Sequence, residues 1–180
     1  MIAAGGEIWG ADETGLREFP PVRAGGSKRG APAHVVISGR NGRRTVLGAL
    51  DVATGELVRL VRERGRTDDV RALVAALGAV RPTVPTVRIW DNAPPHKPTR
   101  GRDAAAAAGI TIAFLPFRSP EVMPLQELWR GLQATGAANR CYPSREELAA
   151  RAVDWLDAMS AAERHHRCGL QTSKFAWLPT

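Results

Sequence analysis

Two short apolar runs, TVRIWDN (86–92) and TIAFLP (111–116), lie on either side of an alanine-rich stretch at 103–108. Apolar runs of that length read as strands, and the alanines between them read as a helix. Strand, helix and strand in that order form a crossover unit, which implies a parallel pair. The back half of the chain is therefore read as α/β.

The front half reads differently. EIWGADET (7–14) is a strand that delivers Asp12 and Glu13 to its end, and the Pro/Gly-rich basic stretch at 19–32 is a loop. Two β-rich runs follow, AHVVISGR and RRTVLGALDV, separated by Asn41-Gly42, whose tolerance of positive φ predicts a hairpin. Ala53-Thr54-Gly55-Glu56 predicts a further turn into LVRLV. From Thr67 the period changes: Val70, Leu73, Val74 and Leu77 recur at helical spacing behind Asp68 and Asp69, and the helix ends near Pro82.

Beyond Pro116 the chain is helical. Leu125, Leu128, Trp129 and Leu132 form one apolar stripe, and Ser144-x-x-Glu147 behind Pro143 opens a second helix. The order implies a mixed sheet, antiparallel in front and parallel behind, flanked by helices. Residues 1–180 are read as one domain, with the helices of about 120–160 as its C-terminal part.

Lysine and arginine number 25 against 18 acids, a formal charge of +7, which favours a polyanionic partner over an acidic small molecule. The cations recur as Arg23, Lys28, Arg29, then Arg40, Arg43, Arg44, then Arg59, Arg62, Arg64, Arg66. They read equally as a face for nucleic acid and as a solvated surface. Cys141 and Cys168 match neither a disulfide framework nor a zinc site, and no apolar stretch is long enough to span a bilayer, so a cytoplasmic protein is expected.

Asp12 and Asp91 each end a strand and precede turn-forming residues. Each alone reads as a turn cap. On neighbouring strands the two carboxylates would meet, and such pairs hold Mg²⁺ ions about 3.5–4 Å apart in nucleases. The motifs around them resemble the DDE transposases of the mariner-like superfamily and its bacterial insertion-sequence relatives, over almost the whole chain. The matching segments are DETG at 12–15, SKRG at 27–30, WDNAPPHK at 90–97 and LPFRSPEVMPLQELW at 115–129.

The resemblance implies an RNase H-like fold and a DNA strand-cleaving and strand-transferring domain. It implies two Mg²⁺ or Mn²⁺ ions in intact relatives, DNA as partner, and a homo-oligomer or a full-length transposase as a possible protein partner. The family carries helix-turn-helix modules before this domain, so the chain is expected to be N-terminally truncated. A non-catalytic remnant that binds DNA or an intact transposase is the alternative.

Two positions depart from the family pattern. Its third acid follows 34 intervening residues after the second, at position 126, which here is Gln126. Its asparagine at the helix start is here Met123. With Pro124 at the first helical position, Met123 stands at the N-cap and cannot cap, a loss of about 1 kcal/mol. Gln126 offers a carbonyl oxygen without charge, so metal binding should weaken. Glu127 is the other candidate ligand, but at about 100° per residue it lies roughly 150° from the centre of the apolar stripe and is expected to face solvent, whereas Gln126 borders the stripe.

By strand alternation Glu13 faces away from Asp12. His96 either steers a phosphate or closes the Pro94-Pro95 turn, and Lys97 suits a phosphate contact. Arg23, Lys28 and Arg29 are expected to meet the DNA backbone. Asp51 reads as a solvated turn residue, and His165 and His166 as an exposed pair.

Overall fold

The computed structural model describes residues 5–32, 34–80, 84–90, 103, 105–116 and 122–175. Asp91, His96 and Lys97 lie outside them. The strands are β1 (Glu7–Arg17), β2 (Arg43–Asp51), β3 (Leu57–Arg62), β4 (Thr86–Trp90) and β5 (Ile110–Phe114). The helices are α1 (Thr67–Val80), α2 (Leu125–Leu132), α3 (Arg145–Asp157) and α4 (Ala161–Arg167). Residues 105–107, in the alanine-rich stretch, are helical.

One sheet runs β3-β2-β1-β4-β5. The front strands β1, β2 and β3 pair antiparallel, and β1, β4 and β5 pair parallel, the β4–β5 pair as the crossover unit demands. Strand alternation divides the core between two faces. Trp9 and Ala11 on β1, with Leu47 and Ala49 on β2, pack under the α1 stripe of Val70, Leu73, Val74 and Leu77. The fully buried Arg88 is the register partner of Trp9, so it shares that face. Ile8, Leu16, Val46 and Leu50 point the other way, against α2 and α3.

The run AHVVISGR is not a strand: residues 34–42 carry no ladder. Its β-branched residues find no core, Val36 being 80% and Ile37 50% exposed, and β2 already has β1 and β3 on its two edges. Asn41 and Gly42 are not among the positive-φ residues and make no hairpin turn. Gly42 instead closes a long loop. Its N–H donates to the buried Glu18 carboxylate at 2.8 Å, and its carbonyl accepts from Glu18 N–H at 2.9 Å. A Cβ at Gly42 would collide with that carboxylate, which is why glycine stands there.

The second expected turn does form, with Gly55 at φ +79 donating to the Asp51 carbonyl. Asp51 itself is 2% exposed rather than solvated, because Val52 N–H bonds the Ile8 carbonyl and draws the turn under β1. The Asp51 carboxylate accepts from Ala53 N–H at 2.8 Å, which satisfies it in place of water.

Ser144 Oγ caps α3 by accepting from Glu147 N–H at 3.1 Å. A reciprocal capping box appears at Ser160 and Glu163, opening α4. Arg164 then ties α4 to the fold, donating to the Gly55 carbonyl at 3.0 Å and the Leu156 carbonyl at 3.2 Å. His165 bonds the Val52 carbonyl at 2.9 Å and is half-buried, so only His166 of the pair is exposed.

Candidate active site

Asp12 lies on β1 opposite Gly48 of β2, one residue beyond the last described β1–β4 pair, Ala11 with Trp90. Its even position puts it on the same face as Gly10, Thr14 and Leu16, the face that α2 covers. Glu13 faces the other way, near Gly65, as alternation predicts. Asp91 lies outside the described residues, and the register runs to its chain neighbour Trp90.

The closeness of α2 to this face depends on missing side chains. A Cβ at Gly10 would stand 3.3 Å from Pro124 Cδ, and one at Gly48 would stand 2.8 Å from Trp129 Cη2 and 3.0 Å from Leu125 Cδ2. Glycine on neighbouring strands lets the helix settle onto the backbone. At its far end, Gln133 Nε2 donates to Thr14 Oγ1 at 3.2 Å and to the Gly15 carbonyl at 2.6 Å.

Helix and strand therefore run side by side in the same direction. The rise from Pro124 to Gln133 is about 13.5 Å, and from Gly10 to Thr14 about 13 Å. Gln126 and Gln133 are seven residues apart, so they share one row of the helix. Two turns back from the Thr14 and Gly15 contact is about 10.5 Å, or roughly three strand residues, which is the level of Ala11 to Asp12. Gln126 is half-buried there.

Helical dihedrals begin at Pro124 (φ −57, ψ −42), and no side chain caps the helix. Met123 is 2% exposed and belongs to the core, so its side chain fills space where a cap would bond.

Glu127 does not face open solvent, as the stripe geometry suggested. Its carboxylate is one-third exposed, receives Arg130 Nη1 at 2.8 and 2.9 Å, and lies 3.6 Å from Lys174 Nζ. It is thus held on the flank towards the C-terminal segment. Near it, burial pushes the Cys168 thiol up to about 12, beside the Leu128 backbone. Among the described residues no group of three or more His, Cys, Asp or Glu could hold a metal ion. By ideal helix and strand rises, the oxygen-bearing side chains nearest one another in level on β1 and α2 are those of Asp12 and Gln126.

The cations divide into two sets. Arg44 pairs with Glu146 and Glu63, Arg59 with Asp157 and Arg62 with Asp69, so these are engaged within the fold. Arg23, Lys28 and Arg29 are exposed in the loop that follows β1. Asn139, at φ 58, holds that loop: its Oδ1 accepts from Arg23 N–H and its Nδ2 donates to the Arg23 carbonyl, each at 2.9 Å. Sequence reasoning missed Asn139, Gln133 and Thr14, whose partners lie more than 100 residues away along the chain. For Gln133 the one available signal is its helix row, shared with Gln126; Thr14 and Asn139 carry none.

No sequence among curated proteins matches the chain. Its fold is similar to the Mos1 transposase paired-end complex with the left transposon end (TM-score 0.68, 18% identity, 94% of this chain and 53% of that one). It is also similar to the mariner Mos1 paired-end complex with Mg (0.71, 17%, 93% and 53%) and to the catalytic domain of Mos1 mariner transposase (0.65, 15%, 93% and 78%). The chain thus spans about half the length of the transposase chains in the paired-end complexes. The sheet and its flanking helices have the RNase H-like fold of that catalytic domain. A family profile described as DDE superfamily endonuclease matches residues 7–149, and the chain belongs to that family.

Proposed function

We propose that the chain is a DDE transposase catalytic domain for metal-dependent DNA cleavage and strand transfer at transposon ends, disabled in large part by Gln126. The observation that supports this reading is the close seating of α2 on Gly10 and Gly48, the second of which is the register partner of Asp12.

Asp12 and Asp91 would hold a divalent cation, with Gln126 giving a neutral oxygen in the third place. Hard carboxylate and carbonyl oxygens suit Mg²⁺ or Mn²⁺, and structures of Mos1 complexes with Mg and with Mn support that choice. When bound, the metal would activate the attacking oxygen and stabilise the leaving one. Asp12 would orient that cation from β1. Gln126, lacking charge, leaves the site with two carboxylates, so affinity falls. Glu127, held by Arg130 and Lys174, is a poor substitute.

Arg23, Lys28 and Arg29, together with His96 and Lys97, would contact the DNA backbone. Removing one cation that neutralises a phosphate should reduce the slope of log K against log salt by about 0.9, so the Arg23/Lys28/Arg29 triple alanine variant should bind DNA with a visibly shallower slope.

The test is Mn²⁺ calorimetry on the parent, on Gln126→Glu and on Gln126→Glu with Asp91→Ala, alongside cleavage of transposon-end DNA. Gln126→Glu should bind Mn²⁺ at least tenfold more tightly than the parent and gain cleavage, and Asp91→Ala should abolish both. Full cleavage by the parent would sink the proposal.

A further inference from the structure

We propose that Gln133 is a positioning residue for this site: its carboxamide fastens the far end of α2 to β1 and so sets how position 126 meets Asp12. The proposal rests on the reading of Asp12 and position 126 as a metal site.

Among the described residues no hydrogen bond ties the first turn of α2 to β1 or β2; Glu127, its one charged side chain, is held towards Arg130 and Lys174 instead. No side chain caps that turn, Met123 contributes only bulk, and Pro124, Leu125 and Trp129 rest on Gly10 and Gly48 through apolar contact. Apolar contact is non-directional, so it fixes the distance of helix from sheet far better than its position along the strand. Hydrogen bonds do fix that position, because they weaken steeply with misalignment.

Gln133 supplies two of them to β1, at 3.2 Å to Thr14 Oγ1 and 2.6 Å to the Gly15 carbonyl. Its own N–H stays in the α2 ladder, on the Trp129 and Arg130 carbonyls. One residue thus belongs to the helix through its backbone and to the strand through its side chain, two turns along the row that carries position 126. At Gln133 the helix passes into a π-turn, Gln133–Ala137. A metal ligand must be held to about 0.5 Å, and loss of the groups that orient one costs on the order of 10–100-fold in affinity.

The experiment uses the Gln126→Glu protein and adds Gln133→Met, which keeps the length and apolar stem but removes both donors without changing charge. Mn²⁺ affinity should fall at least tenfold while the melting temperature shows the domain still folded. Thr14→Val, losing one bond, should fall less, and Thr14→Ser should restore the affinity. This pair reports even where Gln133→Met fails to fold. A metal-free readout runs beside it: amide hydrogen exchange across 126–129 should quicken at least fivefold in Gln133→Met and in Thr14→Val.

Unchanged affinity and unchanged exchange would overturn the proposal. Quickened exchange in a Gln126→Glu protein that binds no Mn²⁺ would uphold the fastening role of Gln133 and instead defeat the metal-site reading beneath it.

Discussion

The two faces of the sheet are both filled with apolar side chains, but they differ at their centres on β1 and β2. Under α1, β1 and β2 present Trp9, Ala11, Leu47 and Ala49, and the fit comes from filling space. Under α2 the same two strands present Gly10 and Gly48, and the fit comes from vacating it. Filling a core yields stability, since each buried large side chain contributes about 1.5–3 kcal/mol. Vacating one forgoes that gain, and what it secures is the close approach of Pro124, Leu125 and Trp129 to the backbone of β1 and β2. Both faces carry core, and the proposed site lies on the α2 face.

That contrast can be broken most sharply at Trp9, fully buried and donating to Glu7 at 3.0 Å. Trp9→Ala should cost about 3–5 kcal/mol in thermal or urea unfolding. In the Gln126→Glu background it should leave Mn²⁺ affinity unchanged at temperatures where the protein stays folded. Loss of binding there would mean the two faces are not separable.

An alkaline titration should sharpen the difference, because the Cys168 thiol lies on the α2 side. Its folded value, about 12, stands above the ordinary value of 9.0. Above pH 9 the unfolded chain gives up this proton while the folded one keeps it. The contribution is therefore complete below pH 9 and drains away up to about 12, by up to about 1.4 kcal/mol per pH unit. Cys168→Ala should flatten that decline, and an identical pH profile would clear the thiol of any part in it.

A smaller effect on stability is expected from Gly48→Val, where overpacking against Trp129 and Leu125 should cost about 1–3 kcal/mol. Its signature is disproportion: Mn²⁺ affinity of the Gln126→Glu protein should drop tenfold or more. Retained affinity would show that the close seating of α2 is not what the site needs.

Amphipathic order was legible because it repeats locally. The stripes of α1 and α2, the crossover that makes β4 and β5 parallel, and the separation of Asp12 from Glu13 all follow from spacing within a few residues. What misled was propensity without a partner. His34 to Ser38 has the composition of a strand, yet a strand is made by its neighbours, and β2 had both edges taken. Asp51 likewise looked solvated because its turn signal is local, whereas the bond from Val52 to Ile8 that buries it is not. In the candidate site, Gln126 was found by counting along a motif. Gln133, Thr14 and Asn139 were not found, since their roles exist only once helix, strand and loop have met.

The bare backbone at Gly10 and Gly48 also has a genetic consequence. Every glutamine codon becomes a glutamate codon by changing its first base alone. On the proposed reading, a lineage with glutamine at 126 and glycine at 10 and 48 would keep room for an acid there and stand one point mutation from it. Replacing either glycine by a larger residue would close that route, since the helix could no longer come down to the strand.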